Sequence, residues 1–263
     1  MPSGVPQPNS EQVFEEISLV LRRLTRYLPS TDWDVKRLNK MAEQLSNANE
    51  VEGANALATI WQMTGDRDKA LRYADHAIDH AQNSLFYCSS KLAILSNLGY
   101  FSEALSLFKY CSPPEKGNMT NAWKRGYLCG AFRTMKSHLP KATKMGFELG
   151  GLDIDTAARA ANVMEKAGVS DEDVAKIMDV AGRVLRDHKL FFVGDGLRVS
   201  VFNTEAEHDP FIEISFDLDV SSKEAQGLYL EFVDQVTQNV PVVPAVVTVS
   251  FRPGKQPHER NAA

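Results

Sequence analysis

Gly65-Asp66-Arg67-Asp68-Lys69-Ala70-Leu71 recurs as Gly99-Tyr100-Phe101-Ser102-Glu103-Ala104-Leu105, with each Gly, Ala and Leu displaced by 99 − 65 = 34 residues. Both copies stand between apolar stretches of helical period. Ala54 to Met63 and Ala70 to Ala81 flank the first, Leu85 to Leu98 and Ala104 to Tyr110 the second. The repeating unit is therefore helix, turn, helix. Glycine suits the turn because it takes left-handed backbone angles without a Cβ clash, and an alanine early in the next helix lets the pair approach closely.

The same rhythm continues on either side with weaker punctuation. Val13, Phe14, Ile17, Val20, Leu21 and Leu24 keep helical spacing, Pro29-Ser30-Thr31-Asp32 interrupts it, and Trp33, Leu38, Met41 and Leu45 resume it, with Thr31 and Asp34 as a capping pair. Downstream, Ala122 to Met135 and Leu139 to Leu149 read as one hairpin; Ile154 to Lys166 and Asp171 to Arg186 read as the next, with Ser170 as N-cap. Breaks fall near residues 31, 65, 99, 137 and 168. Five stacked hairpins satisfy the requirement that each unit bury its apolar face on a neighbour.

A 34-residue period of helical hairpins resembles the tetratricopeptide repeat (TPR) family. The family's second helix carries an A-x-x-x-F pair, met in type by Ala104 and Phe108, while the first copy has Ala74 at the aromatic position. Other positions diverge: the family's early Trp is replaced by Ala54 and Cys88, its Leu-Gly pair by Leu57-Ala58 and Lys91-Leu92, and its following Tyr by Trp61 and Leu95. The resemblance implies a TPR-like helical-hairpin α-solenoid. We place it at residues 10–187, after a tail over 1–9.

Beyond Arg186 the apolar period changes from helical to alternating. In Pro210 to Val220, Ile212, Ile214, Phe216, Leu218 and Val220 face one way and Phe211, Glu213, Ser215, Asp217 and Asp219 the other, the pattern of a half-buried strand. Leu190 to Val193 and Leu197 to Asn203 read as a hairpin about Gly194-Asp195-Gly196, and Ala245 to Phe251 as a last strand. Between them Ser221 to Gln238 reads as an amphipathic helix. The expectation is a mainly α chain ending in a small two-layer α+β (β-β-β-α-β) domain over 188–252, with a tail over 253–263.

In tetratricopeptide proteins the exposed residues of each first helix line a concave groove. Matched from the aligned glycines, that implies Asn55, Thr59, Gln62 and Met63, then Phe86, Ser89, Ala93, Ser96 and Asn97. The next unit adds Trp123 and Tyr127, four apart on one helix face, as interface anchors or as packing between stacked helices. Such a groove offers amides, hydroxyls and apolar groups but almost no cations, so a clamp for a peptide carboxylate is not expected.

Composition bounds the rest. Hydrophobic residues at 43% and charged residues at 24% place the chain among folded globular proteins. A net charge of -5, with no basic run beyond a patch such as Lys136, Lys141 and Lys144, argues against direct nucleic-acid binding. Cys88, Cys111 and Cys129 form no C-x-x-C pair and read as packing residues of a reducing compartment. Met1 to Pro8 shows no basic region followed by an apolar stretch, and no apolar run reaches the ~18 residues of a membrane span. These readings lead to a cytoplasmic location.

Three constellations touch on chemistry. His76 and His80, beside Asp75 and Asp79, stand four apart at metal-ligand spacing, but with no H-E-x-x-H pattern they read as a solvated helix face. Glu213, Asp217 and Asp219 share one strand face and offer oxygens to a hard cation; the plain reading is the wet side of a sheet. Gly194-Asp195-Gly196 lacks the ending of a phosphate loop and reads as a tight turn. The sequence therefore leads to a protein-binding adaptor or regulator with no catalytic residue, metal or cofactor, holding a protein or peptide partner. Its alternatives are a metal-dependent enzyme seated in the C-terminal domain and a regulator of a nucleic-acid-associated complex. The edge Ala245 to Phe251, guarded by Pro241 and Pro244, leaves homo-oligomerisation open.

Overall fold

The structure is a computed structural model, and it describes residues 9–113, 119–147, 153–193, 196–202 and 210–254. The expected turn at 194–196 and both expected tails lie largely outside the described residues.

The chain is mainly helical. Helices α1 (Ser10–Arg23), α2 (Trp33–Ala48), α3 (Glu50–Met63), α4 (Arg67–His80) and α5 (Ser84–Asn97) each begin at an Asn or Asp whose side chain accepts a first-turn N–H: Asn9, Asp32, Asn49, Asp66 and Asn83. Asp32, rather than Thr31, therefore caps α2. Helices α6 (Phe101–Cys111) and α8 (Phe132–Lys144) follow the N-caps Tyr100 and Ala131, which make no side-chain cap. Between them lies α7 (Met119–Leu128), and after them α9 (Ile154–Lys166) and α10 (Asp171–Asp187). None of the described helices is long and apolar enough to cross a membrane.

The turns α3–α4, α5–α6, α7–α8 and α9–α10 each hold a glycine with positive φ: Gly65, Gly99, Gly130 and Gly168. The fourth break thus falls at Gly130 and not near 137, and α8 runs on through Pro140. Alanines Ala58, Ala70 and Ala74, with Ile94 and Leu98, let α3, α4 and α5 approach closely. A separate core joins α1, α2 and α3 through residues such as Val13, Ile17, Leu38 and Ile60.

Helix α10 departs from nearest-neighbour stacking. It packs against α6 and reaches α8, and it supplies both helices with the caps they lack. Asp179 Oδ1 accepts from the backbone N–H groups of Phe101 (2.6 Å) and Ser102 (3.1 Å). Asp171, only 3% exposed, accepts from Arg133 N (2.9 Å), Thr134 N (2.9 Å) and Thr134 Oγ1 (2.7 Å).

Among the described residues the strands are β1 (Leu197–Phe202), β2 (Phe211–Leu218) and β3 (Val247–Pro253), in the order β1-β2-β3. β1 pairs antiparallel with β2, with Leu197 opposite Phe216, and β3 lies parallel to β2, with Val249 opposite Ile214. The parallel pair requires a crossover, and α11 (Ser222–Asn239) provides it. The apolar core is continuous from α5 to β3.

The expected first strand of a β-β-β-α-β unit is not formed. Leu190 makes one isolated bridge, to Arg26, and the apolar residues after it are divided between cores. Phe191 enters the N-terminal core and meets Tyr27 edge-on, whereas Phe192 packs with Phe101 and Phe216. Leu190 to Val193 satisfied a strand pattern, but Leu190 and Phe192 belong to one core and Phe191 and Val193 to the other.

Candidate partner-binding surface

Helices α3, α5 and α7 pack in a row as the first helices of three hairpins. Of the residues expected to line a groove along this row, Asn55, Gln62, Met63, Ser89, Ser96, Asn97 and Trp123 are buried, and Thr59, Ala93 and Tyr127 are half-buried. Phe86 alone among them is exposed, at 44%. The chain's own segments occupy part of this space. Leu28 donates its N–H to the Met63 carbonyl (2.9 Å), and Met63 shares a core with Phe191, Tyr27 and Val193.

Several of these side chains are engaged locally. Thr59 Oγ1 donates to the Asn55 carbonyl (3.0 Å) and Ser96 Oγ to the Leu92 carbonyl (2.9 Å). The Tyr127 hydroxyl donates to the Val199 carbonyl (3.4 Å) and accepts from Val199 N (3.2 Å), tying α7 to β1. Burial pushes its phenol up to about 12. Of the two readings of Trp123 and Tyr127, the structure shows packing: Trp123 is in the core and Tyr127 is an inter-element clasp.

A second surface was not foreseen. An open cleft of about 600 Å³ lies between α1 and α2, lined by Glu16, Leu19, Val20, Arg23, Trp33, Asp34 and Arg37. Leu19 is 53% exposed and Trp33 71%. The Arg37 guanidinium pairs with Glu16 (2.7 Å) and Asp34 (3.6 Å), and lies 5.1 Å from the Trp33 ring centroid; Arg23 pairs with Asp34 as well. The helical spacing of the sequence places Trp33 in one apolar pattern with Leu38, Met41 and Leu45. The buried set of α2 is Val35, Leu38, Ala42 and Leu45, and Trp33, two residues before Val35, stands about 200° around the helix from it. That phase was the available signal.

The strand carboxylates are taken up by cations of the chain itself. Glu213 accepts from Ser250 Oγ (2.8 Å) and pairs with Arg252, while Asp217 pairs with Arg198 at 2.5 Å. Asp219 lies beyond the strand and is exposed. These are cross-strand ion pairs, with a guanidinium where a hard cation would have to sit. All three cysteines are buried, and burial pushes the Cys129 thiol far up, the opposite of an activated nucleophile. His138 Nδ1 lies 3.5 Å from Ser112 Oγ, with its pKa lowered by burial.

No protein-family model, curated protein or solved structure matches the chain.

Proposed function

We propose that the chain is a protein-binding adaptor or regulator of the cytoplasm, a TPR-like solenoid of helical hairpins that holds a partner protein or peptide. The carrying observation is the cleft between α1 and α2, where Trp33 and Leu19 stand exposed inside a rim of paired charges from Glu16, Arg23, Asp34 and Arg37. An aromatic and an aliphatic anchor beside arginines is the composition of an interface hot spot. Phe86, at the start of α5, is a second outward anchor on the row of first helices. The occupant that suits such a cleft is a helix or extended peptide placing one apolar side chain on Trp33 and a polar group on the Arg37 network.

The test compares the full chain with Trp33→Ala/Leu19→Ala and, separately, Phe86→Ala as baits in native lysate, with thermal melts to show that all remain folded. Retained proteins are identified by mass spectrometry and the interaction is rebuilt from purified components. A purified partner that loses at least about tenfold in affinity with the Trp33 pair supports the reading. A partner bound equally by both variants removes the two surfaces from it, and no partner at all overturns it.

A further inference from the structure

His76 and His80 lie towards the end of α4, four residues apart, so both imidazoles leave the helix on one face. In the sequence, with no H-E-x-x-H pattern, no third donor is assigned to them. The fold supplies it from α3: the turn at Gly65 returns α4 along α3, which brings Glu50, the first residue of α3, beside the last turns of α4. One donor atom each from Glu50, His76 and His80 lies within 4.8 Å of the other two. His76 Nε2 and Glu50 Oε1 are 2.8 Å apart, and the two imidazole centroids are separated by 4.2 Å.

The tautomer of His80 follows from its partner. Its Nδ1 lies 2.9 Å from the His76 backbone carbonyl, which can only accept, so Nδ1 carries a proton and Nε2 is the ring nitrogen left to bind an ion. A backbone carbonyl on the second ring nitrogen is how proteins orient metal-ligating histidines. Flanking acids are committed elsewhere: Glu52 accepts from Tyr87 Oη (2.8 Å) and Ser10 Oγ (3.2 Å), and Asp75 pairs with Lys91. Glu50 is the carboxylate turned to the imidazoles.

We propose that Glu50, His76 and His80 form a binding site for a divalent transition-metal ion of the zinc class, with three protein donors and an open fourth position. Two imidazoles and one carboxylate favour zinc, copper or nickel over magnesium or calcium, which take all-oxygen shells. Bonds of about 2.0–2.2 Å place the donors of a tetrahedral ion roughly 3.3 Å apart. The His76–Glu50 pair is already inside that separation, with a proton where the ion would bind. The remaining closure is a rotation of side chains that are exposed or half-buried. Ala77, fully buried between the histidines, and the Asn49 cap of α3 hold the two backbones that carry the donors. A bound ion would tie the open end of the α3–α4 hairpin, opposite the Gly65 turn. This inference is independent of the partner-binding reading.

The test is calorimetric titration of Zn²⁺ into the chelator-stripped full chain, followed by thermal melts. One ion per chain is expected, with Glu50→Gln, His76→Ala and His80→Ala each weakening it by on the order of tenfold or more. His188→Ala, on the separate pair with Glu231 between α10 and α11, should leave it unchanged. Saturating Zn²⁺ should raise the melting temperature of the parent and of His188→Ala but not of the three site variants. Equal melting of parent and Glu50→Gln without metal shows that the exposed substitution spares the fold. Absence of Zn²⁺ binding at a roughly 100-fold excess, or binding unaltered in all three site variants, overturns the proposal.

Discussion

The turns at Gly65 and Gly99 begin two copies of one heptapeptide, yet they are held by different means. At Gly65 the hold is largely local. Thr64 Oγ1 donates to the Trp61 carbonyl (2.8 Å) and Asp66 Oδ1 accepts from Lys69 N (3.1 Å), while the Tyr27 ring closes over the glycine. At Gly99 the hold comes from α10. Asp179 caps α6, Arg186 Nη1 donates to the carbonyls of Leu98 (3.0 Å) and Gly99 (2.6 Å), and Gly182 brings the α10 backbone against the turn. The turn at Gly130 repeats the second arrangement, with Asp171 as cap and Val174 and Met178 against the glycine. Where the residue after the turn glycine is Asp66 the helix caps itself; where it is Tyr100 or Ala131 a distant carboxylate is required. The same motif thus yields an independent hairpin in one place and a dependent one in another.

The largest effect should come from the glycine contact. A Cβ on Gly182 would stand 2.1 Å from the Gly99 carbonyl oxygen, a backbone atom with no rotamer to yield, and one on Gly99 would stand 2.6 Å from Gly182 Cα. Gly182→Ala should cost about 3 kcal/mol in urea unfolding. Gly65→Ala, strained by its positive φ and crowding the Tyr27 ring at 3.1 Å, should cost about 1–2 kcal/mol. Equal midpoints for the two variants would break the distinction between the turns.

Next come the caps. Asp171→Ala leaves two backbone N–H groups and a hydroxyl without their acceptor in a buried setting, and should lose about 2–3 kcal/mol; Asp179→Ala should lose nearly as much. Asp66→Ala removes a half-exposed local cap and should lose about 1 kcal/mol. The order is checked by urea titration, and Asp66→Ala costing as much as Asp171→Ala would remove the contrast.

This contrast also marks how far the sequence could be read. Helix positions in the first hairpins were legible because glycine, alanine and Asn/Asp caps stand at their own turns, and the β2 alternation from Ile212 to Leu218 was legible for the same local reason. The break at Gly130 was missed because its cap, Asp171, is 40 residues downstream from Ala131 in number and adjacent only in space. Leu190 to Val193 was misread as a strand because periodicity records that residues are buried, not against what. The candidate site divides in the same way: the groove followed a family pattern that the chain's own segment 24–28 partly fills, while the exposure of Trp33 depended on a phase set by Val35 and Leu38. Glu50 could join the histidine pair only once the hairpin was folded.

The smallest effect distinguishes two capping boxes by charge. α1 closes with Asn9 and Gln12, both amides, whereas α10 closes with Ser170 and Asp173. The Ser170 hydroxyl (2.6 Å) and N–H (3.0 Å) both donate to Asp173 Oδ2, and these bonds hold its carboxyl below the ordinary aspartate value. A carboxyl whose pKa is lower folded than unfolded contributes stability that is present above the unfolded value, near about 3.9, and is lost as pH falls through the folded value. Because Asp173 is only part-buried, solvent screens the loss to roughly a few tenths of a kcal/mol. Hydrogen-exchange protection, corrected for intrinsic rates, should therefore decline at the Asp173 amide as the pH is lowered through that range and stay level at the Gln12 amide. Asp173→Asn should flatten the decline. If both amides lost protection together, the acid response would be global, and the charge of the box would have no part in it.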